Sequence, residues 1–168
     1  MNEKIKKIKV LAMDVDGVLT DGRIIINGDG SETKNFDVQD GFGLVLLKKA
    51  GLKTAVISAR SAKAVTARTK DLIIDKVYQN AFPKIKAYET MLKALRVSDA
   101  EVCFIGDDLP DIPVLRRVGF AVAVPNAVVE VKRVCDHITT KSGGAGAVRE
   151  VVELILKTQM KWENLPKD

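Results

Sequence analysis

Aromatic side chains are scarce in this 168-residue chain, at 5%. That removes the interleaving of basic and aromatic residues on which nucleic-acid surfaces stack bases. Lysine and arginine outnumber the acids by 27 to 22, for a formal charge of +5, yet they are scattered along the chain. The excess therefore favours a small anion as partner over nucleic acid or an acidic membrane. The two cysteines, Cys103 and Cys135, share no CxxC spacing, and neither reads as a nucleophile or a zinc ligand. Cys103, inside the apolar EVCFIG, is expected as a small buried side chain. The single histidine, His137, lies in DHITT, a short strand near the end of the chain, and reads as structural. No apolar run is long enough to cross a bilayer, and MNEKIKKIK leads into a strand pattern without a signal-peptide stretch. A soluble, cytoplasmic protein with no membrane partner is expected. Repeats, linkers and low-complexity segments are likewise missing, and 46% apolar residues at this length support one core and a single domain over 1–168.

What is present is alternation. Apolar strand patterns at 9–13, 53–57, 72–78, 101–105 and 120–124 are separated by helical periodicity at 41–50, 61–70, 84–95, 110–118, 126–134 and 145–160. This predicts an α/β fold with a parallel sheet and helices on both faces. Gly51 and Gly119 read as helix stops, Ser61 and Asn126 as helix caps. One segment breaks the rhythm: RIIINGDGSETKNF, at 23–36, predicts a β-hairpin inserted after the first strand, within about 22–36. Its Ile24, Ile25 and Ile26 cannot all face one core and are expected to bury against the domain body or a neighbouring subunit.

The first strand ends in DVDG. Residues i and i+2 of a strand share a face, so Asp14 and Asp16 project together from its carboxyl end, where open α/β sheets bind ligands. Two such carboxylates repel unless a proton or cation lies between them. A second acidic cluster, GDDLPD at 106–111, follows the apolar VCFI and should emerge at the same edge. Hard oxygen ligands of this kind suit Mg²⁺, with Asp14, the backbone carbonyl of Asp16 and Asp107 as a plausible set. Between the clusters, Ser58 follows the strand TAVI and Lys84 opens a helix. A hydroxyl and a lysine charge suit phosphate oxygens, although each alone also fits a cap or a solvated lysine.

In this order, DVDGVLTD, Ser58, Lys84 and GDDLPD resemble the four motifs of the haloacid dehalogenase superfamily of phosphatases, over essentially the whole chain. The resemblance implies a three-layer Rossmann-like fold. It implies that Asp14 is the nucleophile, that Asp16 protonates the leaving group and then activates water, and that Asp107 anchors Mg²⁺ with Asp14 and the Asp16 carbonyl. Ser58 and Lys84 would hold the phosphoryl group, while Asp108 and Asp111 would support the metal shell or orient Lys84. Longer stretches, such as VYQNAFPKIKAYE and GGAGAVREVVELIL, imply a narrower kinship with members that act on an acidic sugar phosphate. Arg60 is then placed to pair with the sugar carboxylate, or is simply an exposed arginine at a helix start. Many relatives carry Gly where Ala59 stands here. Larger members have a cap domain; this chain has only the hairpin, and the resemblance implies a homotetramer in which a neighbour covers the site. The tail at about 160–168, with Trp162 and Leu165, would dock over a neighbour's site or pack on its own subunit. Two rivals remain open: a phosphatase for another ester such as a nine-carbon sugar acid phosphate, and a phosphoacceptor module of the response-regulator kind.

Overall fold

The computed structural model describes residues 1–165; the last three residues of the expected tail lie outside the described part. The chain opens with a short helix, α1 (Asn2–Lys6), enters β1 (Val10–Met13) and makes a hairpin of β2 (Ile25–Ile26) and β3 (Glu32–Thr33). It then alternates through α2 (Val38–Lys49), β4 (Lys53–Ile57), α3 (Lys63–Asp71), β5 (Lys76–Tyr78), α4 (Lys84–Leu95) and β6 (Val102–Gly106). Last come α5 (Ile112–Leu115), β7 (Phe120–Ala123), α6 (Val129–Lys132), β8 (His137–Ile138) and α7 (Ala147–Thr158).

Six strands form one parallel sheet in the order β5-β4-β1-β6-β7-β8. The strands β1, β6 and β7 are buried along their whole length because both faces are covered, which is why they read as continuous apolar runs rather than alternating ones. The helices α2 and α7 pack on each other with α1 beside them, and α4 packs against α5. Side chains such as Leu47, Phe104 and Ile155 are fully buried between the layers, each contributing about 1.5–3 kcal/mol. In register, Met13 of β1 lies beside Val56 of β4 and Ile105 of β6. The residues that follow these strands are thereby brought to one edge. No helix among the described residues is long and apolar enough to cross a membrane.

Local chemistry explains the ends. Asp37 caps α2, its carboxylate accepting from Gln39 N at 2.6 Å and Asp40 N at 3.1 Å. Gly51, at φ +82°, stops the same helix as expected. Buried Asp40 reaches across to α7, accepting from Arg149 N at 2.7 Å and Gly146 N at 3.3 Å. Burial raises its pKa to about 6.

Several expectations need correction. Ser61 does not cap α3; the cap position is Ala62, whose N–H donates to the Gln79 side chain at 2.8 Å. Nor does Asn126 cap α6, which begins after Val128. The strand expected at 72–78 is confined to Lys76–Tyr78, because Ile73 turns the chain at φ 52°. The helix at 110–118 is a 3-10 turn, Leu109–Asp111, followed by one turn of α5. Gly119 serves as a close approach instead of a stop: a Cβ there would lie 2.3 Å from Ala100 O. The hairpin falls inside its expected span, with Ile24, Ile25 and Ile26 left exposed. Cys103 is fully buried, and His137, facing Glu150 at 3.9 Å, lies in its short strand.

Candidate active site

Each chemical residue inherits its place from a strand end. Asp14 continues the ladder of β1, its N–H donating to Ile105 O at 3.0 Å, and its side chain is buried. The chain then coils, with Val15 O accepting from the amides of Val18, Leu19 and Thr20. Gly17 adopts φ +87°, and a Cβ there would stand 2.0 Å from Asp107 Oδ2. The glycine is thus what allows the β6 carboxylate to approach the β1 loop. Ser58, 2% exposed, follows β4, and its hydroxyl accepts from Arg60 N at 3.2 Å.

Lys84 opens α4 and is 2% exposed. Its ammonium sits 2.9 Å from Asp14 Oδ2 and 2.6 Å from Asp111 Oδ1. Burial works against that charge, but the two carboxylates outweigh it and the lysine pKa is raised. The other Asp111 oxygen accepts from the amides of Asp107 at 3.0 Å and Asp108 at 3.3 Å. Of Asp108 and Asp111, it is Asp111 whose carboxylate contacts Lys84. Asp108 turns away and caps its own 3-10 turn through Leu109 N at 2.8 Å.

Oxygens of Asp14, Asp107 and Asp111 lie within 4.8 Å of one another. Burial pushes the Asp14 carboxyl up to about 7 and the Asp107 carboxyl up to about 8, with neighbouring carboxylates adding to the effect. Asp107 Oδ1 is buried and has no hydrogen-bond partner among the described residues. A buried carboxylate oxygen in want of a partner, beside a second acid, fits a hard divalent cation. Both Asp111 oxygens are already engaged, so Asp14 and Asp107 are the side chains that fit Mg²⁺.

Asp16 lies on the hairpin side of the site, its side chain 20% exposed, with Arg60 Nε 3.6 Å away. Arg60 is also held by Glu32, 3.0 Å from its Nη2. Lys34 and Asn126 belong to the site although the sequence assigned neither of them to it. Lys34 is ion-paired with Asp16 and with Glu32; a lysine in a polar hairpin gives no signal of burial. Asn126 donates to Gly17 O at 2.8 Å and accepts from Gly143 N at 2.9 Å, tying three loops together. Its place just after β7, at the same edge as the aspartates, was the available clue. The tail packs on its own subunit as far as it is described: Trp162 stacks under Arg149 at 5.4 Å and Lys157 at 5.2 Å.

Residues 44–151 match the haloacid dehalogenase-like hydrolase family. The chain is 40% identical over 158 residues to the 3-deoxy-D-manno-octulosonate 8-phosphate phosphatase of Escherichia coli, spanning 94% of this chain and 84% of that protein. It is similar in structure to the same phosphatase from Moraxella catarrhalis in complex with magnesium, phosphate and the sugar acid KDO, at TM-score 0.95 and 47% identity over 97% of this chain and 94% of the other. The cobalt-bound enzyme from Haemophilus influenzae matches at TM-score 0.91 and 36% identity, over 94% and 92% of the two chains.

Proposed function

The chain belongs to the haloacid dehalogenase-like hydrolases, and from that premise we propose that it is a Mg²⁺-dependent phosphatase hydrolysing 3-deoxy-D-manno-octulosonate (KDO) 8-phosphate to KDO and phosphate. The observation that carries this reading is the buried array in which Lys84 bridges Asp14 and Asp111 while Asp107 presents an unpartnered oxygen beside them.

In the first transfer Asp14 attacks phosphorus in line with the sugar oxygen. The phosphorus–sugar bond breaks as an aspartyl phosphate forms, and Asp16 gives its proton to the leaving oxygen. A carboxylate and a phosphate dianion repel, and Lys84, excluded from water, offsets that charge more strongly than a solvated lysine could. Asp14, Asp107 and the Asp16 carbonyl would hold Mg²⁺, which when bound would supply further positive charge to the transferring group. Asp111 fixes Lys84, and the Ser58 hydroxyl takes a phosphoryl oxygen. In the second transfer Asp16 accepts a proton from water as that water attacks the aspartyl phosphate, and phosphate is released.

Arg60, at 47% side-chain exposure, is the group proposed to bind the substrate carboxylate. The exposed Ile24, Ile25 and Ile26, with Phe82 also exposed at the same sheet edge, support a homotetramer in which hairpins pack together and a neighbour closes the site. Light scattering gives the subunit number directly. The function is tested by phosphate release from KDO 8-phosphate, a nine-carbon sugar acid 9-phosphate and neutral sugar phosphates, with Mg²⁺ and with EDTA. KDO 8-phosphate is expected to lead by kcat/KM and EDTA to abolish release. A lead for the nine-carbon ester would reassign the substrate, and release in EDTA would overturn the metal-dependent mechanism.

A further inference from the structure

The hairpin brings into the site a lysine to which the chemistry above gives no task. Lys34 follows β3, and its side chain is 1% exposed. Its ammonium is ion-paired with Asp16 Oδ1 and lies 2.6 Å from Glu32 Oε1. Lysine is almost never so buried unless it is paired. Glu32 in turn holds Arg60, which also faces Asp16, so the hairpin's Glu32 and Lys34 complete a ring of alternating charges that includes Asp16.

The two oxygens of Asp16 are therefore unequal. Oδ1 is taken by a buried cation that has little freedom to leave. Oδ2 faces Arg60 Nε at 3.6 Å, a weaker contact with a side chain that is 47% exposed.

We infer that Lys34 is the positioning residue for Asp16, holding Oδ1 so that Oδ2 is the oxygen that exchanges the proton with the leaving group. This rests on the reading of Asp16 as acid and base given above. In the first transfer the phosphorus–sugar bond breaks, the phosphorus–Asp14 bond forms, and the proton on Oδ2 passes to the sugar oxygen. In the second, the phosphorus–Asp14 bond breaks and Oδ2 recovers a proton from the attacking water. The Lys34 hydrogen bond survives both states, because the carbonyl oxygen of a neutral carboxyl accepts from an ammonium as a carboxylate oxygen does. A carboxyl free to rotate would present its proton in line only part of the time, and fixing it removes that entropic part of the barrier.

The consequence is selective. A sugar alkoxide is a poor leaving group and needs its proton during bond cleavage, whereas p-nitrophenolate leaves with little help. The test compares kcat/KM, which ends at leaving-group departure, for KDO 8-phosphate and p-nitrophenyl phosphate. Lys34→Met is expected to lose about a hundredfold on the sugar ester, the low end of what a positioned acid contributes, and at least tenfold less on the aryl ester. Equal losses on the two esters, or none on either, overturn the inference. Lys34→Gln keeps a polar head in the buried position, guards against loss of the fold, and must show the same selectivity; equal losses there overturn the inference too. Asp16→Asn separates the two claims. If it costs both esters alike, the reading of Asp16 fails; if it discriminates and the Lys34 variants do not, only the positioning role fails.

Discussion

Replacing Gly17 with alanine is a small change that reaches the proposed metal site without altering a ligand. The backbone at φ +87° costs an alanine about 1–2 kcal/mol. The new Cβ would stand 2.0 Å from Asp107 Oδ2 and 2.7 Å from its Cγ, far inside contact distance. The obstacle is the end of a rotatable side chain, so the fold survives and the carboxylate swings away. Mg²⁺ takes only a few protein oxygens, and misplacing one is expected to lower its affinity by about 10–100-fold, the scale seen when groups that orient ligands are removed. In free energy that is about 1.4–2.8 kcal/mol. Calorimetric titration of Mg²⁺ into EDTA-treated and dialysed protein reads the affinity, and urea unfolding in EDTA reads the fold. Gly17→Ala should lose no more than about 2 kcal/mol in the second experiment while the first shows the loss of affinity of about 10–100-fold. A folded variant that binds Mg²⁺ within twofold of the parent would refute the placement of Asp107 in the metal site.

Two further predictions follow from the same charges. Asp111→Asn leaves Lys84 with one carboxylate and sets an amide donor against either the ammonium or the Asp107 and Asp108 amides. Urea unfolding should show a loss of about 3–5 kcal/mol, and a loss under 1 kcal/mol would refute the bridging role. Asp14 and Asp107 titrate near 7 and 8 in the folded protein against an ordinary value of 3.8. A raised carboxyl pKa contributes stability that is present at low pH and lost as pH rises through the folded value. In EDTA the urea midpoint should therefore fall as the pH rises from about 4 to about 8, and Mg²⁺ should narrow that fall; a midpoint that rises over this range would contradict the burial of the pair.

The parts legible in the sequence are those whose cause is local. A carboxylate or hydroxyl that follows an apolar strand must stand at the carboxyl edge, so Asp14, Ser58 and Asp107 could be placed from their neighbours alone. Gly51 announces the end of α2 for the same reason. Residues whose role depends on distant partners were hidden. Lys34 meets Asp16 across 18 residues, Asp40 caps α7 across 106, and Asn126 reaches Gly17 across 109. Helix lengths failed where apolar periodicity continued into packed loops: Val114 and Val118 are both buried, yet α5 stops at Leu115. Periodicity reports which residues face the core, and a tight loop satisfies it as well as a helix does.

In the proposed mechanism Asp14 becomes covalently phosphorylated. Acid quench of the enzyme turning over KDO 8-phosphate with Mg²⁺, followed by peptide mass spectrometry, tests it most directly. A phosphoryl group is expected on the peptide bearing Asp14, lost with Mg²⁺ removal and absent from a folded, inactive Asp14→Asn variant. Turnover retained by that variant, or phosphate found on another residue, would contradict it.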